Sequence, residues 1–548
     1  MVPSAGPYRQ DRGVSPDFLL LNARIASMDA AATEYSALAS LNGRIVALGD
    51  DSLRDLAGPQ TKILNAEGRR VLPGIVDSHA HPDAYALRLR TWTLVSPEHV
   101  ATRDALLARI RARCQQAAPG QWCAFYRLNE RASGGYPTLA ELDAASLGRP
   151  IFILRTDGHL GLANSAAFAA CGVTRDTPDP AFGRFDRGAD GAFTGLVRET
   201  AAHVFLNALH DQDSEADIAE GMEQVQDQCL AAGITSVANS LTPTKAIRAY
   251  QQMRRDGTWR MRMGIIASGR DEPLVPALIA AGIQSGFGDD FLRMIGVEWC
   301  PDCSTSGRTA AYWDPYRGTP VPGEPVPNTG MLLYEKDDLI QRATAAHKAG
   351  LQVMIEGVGD RGIDFALDVM EAALAAHPVA DHRMRVEHCC YVTPKILARL
   401  ARGKFVDSSA TGFMDELGEA YVANRGQEAM RHMWPHRSLI DAGIPAPGHS
   451  DFAVCRVSPW TAMAAMVTRR TTGGADLEAS QAITPLEAIR AYTSLGAWAQ
   501  REERDKGSLE VGKLADCIVL DRDVLNGEDI AGTQVKATVV GGMLRYQA

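Results

Sequence analysis

No apolar run in this chain approaches the roughly 18 residues that a membrane-spanning helix needs. A bilayer is therefore not an expected partner. Residues 1–16 are polar, contain Pro and Gly, and show no apolar h-region. A secretory leader is not expected, and the cytoplasm is the expected compartment. No cluster of Lys and Arg stands out, and the formal net charge is −10. Nucleic acid and anionic membrane surfaces are poor partners for such a chain, which leaves a small molecule. Paired CxxC motifs are missing too. Of the 10 cysteines, only Cys300 and Cys303 form a CxxC. The chain is too long to need disulfide staples, so buried reduced thiols are the expected state.

What is present is ordinary globular composition, 46% hydrophobic and 22% charged over 548 residues. That length supports a large core and more than one domain. Residues 17–70 carry short apolar runs around turn signals, with Asn42-Gly43 as a hairpin signal. Residues 515–521 and 535–545 repeat that character around Gly541-Gly542. A small β-sandwich built from residues 17–70 and 505–548 is the expected arrangement, with residues 71–500 between them.

Eight candidate strands fall in that middle region, at 71–79, 233–240, 261–268, 292–300, 351–357, 384–389, 405–409 and 444–451. Several follow helical sequence that stops at Ala-Gly, as at Ala349-Gly350 and Ala442-Gly443. Alternating helix and strand predicts a parallel sheet. Eight units predict an α/β fold, a (β/α)8 TIM barrel. The gap between the first two strands, about 150 residues, is far longer than a barrel loop. It predicts an inserted subdomain at about 91–201 over the barrel mouth. Arg127, Arg155 and His159 in it are candidate substrate contacts.

The chemistry lies at strand ends. The run Val71–Val76 leads to His79 and His81. Residues i and i+2 on a strand share a face, so the two imidazoles make half a metal site. An isolated pair of this kind is more often two loop residues. Here, however, the other strand ends carry Glu298, Glu356, His388 and Asp451. Barrel enzymes place their sites at that end. Imidazole with carboxylate suits zinc, iron or manganese. Asp451 is the candidate base that takes a proton from water and returns it to a leaving nitrogen.

The segment Leu72-Pro-Gly-Ile-Val-Asp-Ser-His-Ala-His81 resembles the amidohydrolase superfamily, as do Arg385-Val-Glu-His388 and His449-Ser-Asp451. Within it the chain is similar to the YtcJ-like branch, amidohydrolase family 3. Arg155 to Ser165, Thr194 to Glu199, Gly296 to Ala310 and Lys506 to Asp516 carry that likeness over nearly the whole length. The resemblance implies a metal-bearing barrel with a β-sandwich. It implies hydrolysis of non-peptide C–N bonds, with deformylation of N-substituted formamides as one activity of the branch. It also implies metal ligands at His79, His81, His388 and Asp451, and catalytic roles for Asp451 and His388. Two positions depart from the branch. Glu298 stands where it has a lysine, often carbamylated, and Glu356 where it has a histidine. Both glutamates offer hard oxygen donors, which moves preference somewhat toward manganese or iron, with zinc still the first expected ion. One or two ions per chain are expected.

The expected substrate is an amide, formamide, carbamate or cyclic amide. His159, Arg155, Trp299 and Arg308 are the candidate substrate contacts, with Tyr312 and Trp313 as further apolar surface. Two other readings stand beside this one. One is a non-catalytic binding or regulatory protein on the same scaffold, and the other is a metal-dependent lyase or decarboxylase. Barrels of this size often pair, which leaves a homodimer open, although no stretch shows an interface.

Overall fold

The extended segment from residue 70 to residue 80 belongs to two sheets. In the computed structural model, which describes residues 15–320 and 324–548, it breaks at Gly74. The polar start of the chain, on which the leader reading rests, lies almost wholly outside the described residues. Arg70–Pro73 pairs antiparallel with Cys517–Leu520 and parallel with Arg24–Ala26. Ile75–Ala80 then opens the barrel. The expected single strand at 71–79 is thus two. A Cβ on Gly74 would lie 2.1 Å from Thr235 Oγ1, so only glycine lets the chain pass from one sheet to the other.

The first of those sheets has six strands. They run Met543–Gln547, Val535–Val540, Cys517–Leu520, Arg70–Pro73, Arg24–Ala26, Glu34–Tyr35. A four-stranded sheet made of Arg44–Gly49, Ala37–Leu41, Phe18–Leu21 and Lys62–Asn65 accompanies it. Phe18, Leu20, Ile45, Val71, Val519 and Val539 from both sheets share one apolar cluster. Asn42-Gly43 and Gly541-Gly542 turn the two hairpins, with φ of 51° and 80° at the first and 57° and 69° at the second. Positive φ at both central positions is the turn whose twist matches the strands.

Seven parallel strands follow in chain order, each hydrogen-bonded to the next. They are Ile75–Ala80, Ile234–Thr242, Arg262–Ser268, Leu292–Trp299, Gln352–Gly357, Arg385–His388 and Val406–Ser409. Helices such as Lys336–Lys348, Asp360–Ala376 and Pro394–Gly403 alternate with them. Val297, Val353, Ile355 and Val386 pack outward against that helical layer. Burial on both faces is why these strands read as apolar runs.

The eighth expected strand, 444–451, does not form a ladder. It is extended but makes a single bridge, Gly448 to Ser409. Pro445 and Pro447 accept from the Asp407 and Ser409 N–H groups at 3.1 and 2.9 Å. Proline has no N–H to return. Closure onto the first strand runs instead through the Asp451 N–H to the His79 carbonyl at 3.1 Å and the Ser450 N–H to Asp77 Oδ1 at 3.0 Å.

Between the first two barrel strands lies a further six-stranded sheet. Its order is Gly183–Arg187, Phe193–Glu199, Leu160–Ala163, Ile151–Arg155, Cys123–Leu128, Thr93–Leu94. It has its own core, with Val95, Leu106, Ile110, Phe125, Ile153 and Leu162. Among the described residues no helix is long and apolar enough to cross a membrane.

Candidate metal centre

His79 stands in the last turn of pleat of Ile75–Ala80, and His81 precedes helix Pro82–Thr91. Each ring is fixed from behind. His79 Nδ1 donates to Glu387 Oε2 at 2.7 Å. His81 Nδ1 faces the Ser240 carbonyl at 3.2 Å. Those acceptors assign the proton to Nδ1 and leave both Nε2 atoms as electron-pair donors. The two Nε2 atoms converge on Asp451 Oδ1, at 3.5 Å from His79 and 3.1 Å from His81. Both His79 Nε2 and Asp451 Oδ1 are buried and satisfy hydrogen-bond geometry with no protein group. A buried polar atom left in that state is costly. Two imidazole nitrogens and one carboxylate oxygen, all aimed at one point, fit a zinc-class divalent ion.

His388 ends the sixth strand and brings its Nε2 to 3.6 Å from Glu356 Oε1. Its ring centroid is 4.8 Å from that of His79, and it stacks on Phe413 at 5.2 Å. His388 has φ 68° and Asp451 φ 55°. His388 leaves its strand, and Asp451 the extended segment 444–451, in the left-handed region, which swings their side chains into the mouth at some backbone cost.

Beneath His79, Glu387 is clamped by Arg385, whose Nε and Nη2 donate to its two oxygens at 2.6 and 2.9 Å. Burial pushes the Glu387 carboxyl up, but Arg385 and His79 hold it well below the usual carboxylate range. Burial lowers the His79 imidazole to about 4, so the ring is neutral at pH 7. Asp451 is likewise held low against burial, by its neighbour His81 and the charge of His388. His79 therefore presents a neutral nitrogen and Asp451 an ionised carboxylate, whereas burial lowers the His81 imidazole but Asp451 raises it above the ordinary histidine value, so a cation would displace the His81 proton.

Glu298 differs from this pattern. It is fully buried and takes a hydrogen bond from Ser240, with Cys300 Sγ at 3.7 Å. Burial and the Glu387 charge push its carboxyl well up. It joins none of the compact three-donor groups found among the described residues, and Glu356 pairs with His388 instead.

The expected substrate contacts divide. His159 is partly exposed, with its Nε2 4.0 Å from Glu356 Oε1, and so reaches the mouth. Trp299 does not. It is 1% exposed and packs in the apolar layer outside the strands. Arg155 is held by Glu130, Asp157 and Ser306. Arg308 is held by Glu324, the Arg317 carbonyl and Asn424. Both arginines are buried and hold the insertion and its adjoining loops together. Sequence reasoning passed over Glu387, Ser240 and Glu199 as site residues. Glu387 was findable, because Arg385 and Glu387 share a strand face one step before His388.

The amidohydrolase family matches residues 62–546. An N-substituted formamide deformylase of Arthrobacter pascens is 29% identical over 560 residues, covering 97% of this chain and 98% of its own. The putative amidohydrolase YtcJ of Bacillus subtilis is 24% identical, covering 89% and 91%. An uncharacterized metal-dependent hydrolase from Pyrococcus horikoshii superposes with a TM-score of 0.75 at 24% identity, covering 96% of this chain and all of that one. Lying as it does within that family over most of its length, this chain belongs to the amidohydrolases.

Proposed function

We propose that the chain hydrolyses a non-peptide C–N bond in a small amide-type molecule, with a formamide, amide, carbamate or cyclic amide as the substrate class. The observation that carries this reading is the convergence of His79 and His81 Nε2 on Asp451 Oδ1, with His79 Nε2 and Asp451 Oδ1 buried and lacking a well-aligned hydrogen-bond partner among the described residues. His79, His81, His388 and Asp451 would hold a divalent ion, with Glu356 and Glu298 as further oxygen donors. Bound there, such an ion supplies Lewis acidity, which acidifies water and polarises a carbonyl oxygen. Asp451 receives the proton of the attacking water and passes it to the leaving nitrogen. Glu387 keeps His79 in the tautomer that serves as a ligand. His159 meets the substrate from the opposite wall. The whole-length likeness to a formamide deformylase supports formamides as the first compounds to try.

The test begins with metal content by plasma mass spectrometry, on protein purified without chelators or an affinity metal. It continues with a panel of N-substituted formamides and amides, reading amine release. One or two ions per chain and turnover of a panel member are expected. Asp451→Asn is expected to cost about 10² to 10⁴ in rate. Loss of one ion in Glu298→Ala or Glu356→Ala would identify the oxygen ligands of a two-ion centre. Absence of metal, with none taken up on reconstitution, would defeat the reading. Turnover without solvent oxygen-18 in the product would turn it toward a lyase.

A further inference from the structure

A second group of donors stands where the inserted sheet meets the loop after the fourth barrel strand. His159 leaves the turn before Leu160–Ala163, Glu199 ends Phe193–Glu199, and Cys303 follows Leu292–Trp299 by four residues. One ring nitrogen, one carboxylate oxygen and the thiol sulfur lie within 4.8 Å of one another. His159 Nδ1 is 2.9 Å from Glu199 Oε2. An ion pair accounts for that oxygen but not for the other. Glu199 is 1% exposed, and among the described residues its Oε1 has no well-aligned hydrogen-bond partner, the group beside Glu199 being the Cys303 thiol. Buried carboxylate oxygens are ordinarily satisfied. Glu199 also sits at φ 51°, outside the regions a glutamate prefers, and opens helix Thr200–His210 without capping it. Its side chain therefore serves neither the strand it ends nor the helix it precedes.

Burial lowers the His159 imidazole but Glu199 raises it to about 10, and burial pushes the Cys303 thiol well up, so a cation would bind here by displacing both protons. Cys303 is fully buried, with its Sγ beside Glu199 and 3.9 Å from the Met331 carbonyl. His159 is 19% exposed at its side chain, which gives the group a route to solvent. Neighbouring charge is mixed, with the Arg270 guanidinium close to Glu199 and Glu356 and the carboxylates in excess. Glu356 Oε1 lies 4.0 Å from His159 Nε2 and 3.6 Å from His388 Nε2, between this group and the His79 centre. Asp302, one residue before Cys303, is buried too, with its oxygens on the backbone N–H groups of Ala311, Val358 and Gly359.

We propose that His159, Glu199 and Cys303 form a second cation site, separate from the His79 centre, that takes a zinc-class divalent ion. Thiolate with imidazole and one carboxylate selects a borderline ion over magnesium or calcium. Three protein donors match an open zinc site with one exchangeable position, rather than a closed structural one. The site joins the insertion to the barrel loop, so its occupancy ties the wall bearing His159 to the strand end bearing Glu298.

Cobalt(II) titrated into the metal-stripped full chain tests this. Cobalt bound to sulfur absorbs in the near ultraviolet by charge transfer from the thiolate, whereas cobalt on nitrogen and oxygen alone gives only visible ligand-field bands. A saturable near-ultraviolet band is expected in the parent, in Cys300→Ser and in His79→Ala. Its loss is expected in Cys303→Ser. Glu199→Gln keeps the thiol, and the cobalt affinity read on the same band is expected to fall about tenfold or more. No such band in the parent, or a band that survives Cys303→Ser, overturns the proposal. An affinity unchanged in Glu199→Gln overturns it too, and decides alone should Cys303→Ser not fold. The His79 centre is read separately, from the visible bands that His79→Ala should diminish.

Discussion

Glu387 Oε2 accepts the Nδ1 proton of His79 at 2.7 Å while both of its oxygens are held by Arg385, and all three side chains are buried. One carboxylate thus fixes a candidate ligand and neutralises a buried guanidinium. Glu387→Gln can still accept from His79 but leaves Arg385 unpaired. Metal affinity, measured by chelator competition, is expected to fall about 10- to 100-fold. Stability to denaturant is expected to fall by about 3–5 kcal/mol. Lost stability with unchanged affinity would make Glu387 a partner of Arg385 only.

Gly412 sits in helix Thr411–Glu416 against the segment that delivers Asp451. Its N–H donates to the His449 carbonyl at 3.1 Å, and a Cβ there would come to 2.4 Å from the Ser450 carbonyl oxygen. That neighbour is backbone and cannot rotate away. Gly412→Ala is expected to cost about 1–3 kcal/mol. By displacing Asp451 it should also lower the hydrolytic rate, by up to about 10²-fold for a shift of 1 Å. A variant that melts lower but turns over normally would show that the Asp451 segment does not follow Ser450.

Seven barrel strands were readable because strands buried on both faces leave continuous apolar runs. The eighth, 444–451, has the apolar character but not the donors, and Pro445 and Pro447 announce that directly. The break at Gly74 was hidden, since what demands glycine there is Thr235, far along the chain. His79, His81 and Asp451 were legible as strand-end polar residues, which a barrel must bring together. Trp299 was misplaced although period two carries the answer. If Glu298 faces the barrel interior, the next residue faces the helices. The partners of Arg155 and Arg308 are set by tertiary folding, and no local pattern reveals that Glu130, Asp157 and Glu324 hold them.

Arg155→Met follows from that correction. Arg155 Nε and Nη2 donate to the two Glu130 oxygens at 2.8 and 3.0 Å, and Nη1 donates to Asp157 at 2.8 Å. The variant would leave two carboxylates in a buried setting without their cation. A loss of about 3–5 kcal/mol is expected, with KM for a turned-over formamide unchanged. A KM that rises several-fold at unchanged stability would restore Arg155 as a substrate contact.

Asp217 supplies a pH-dependent link behind His81. The helix that follows His81, Pro82–Thr91, carries Arg90, whose Nε donates to Asp217 Oδ1 at 2.8 Å. Asp217 also accepts from the Ser214 hydroxyl at 2.6 Å and the Ser214 N–H at 2.9 Å, completing a capping box on helix Glu215–Ala231. The Ser214 hydroxyl and then Arg90 hold its carboxyl down to about 2, against an ordinary value of 3.8. A depressed folded-state value means that this contribution is present above the unfolded value and lost as pH falls toward the folded one. Asp217→Asn removes it. The gap in Tm between parent and variant is expected to be constant from neutrality to about pH 4, then to close toward about pH 2. The pair is partly exposed, so the gap should be small and shrink in high salt. A gap that persists unchanged at the acid end would mean that shape and hydrogen bonding, not charge, tie the two helices.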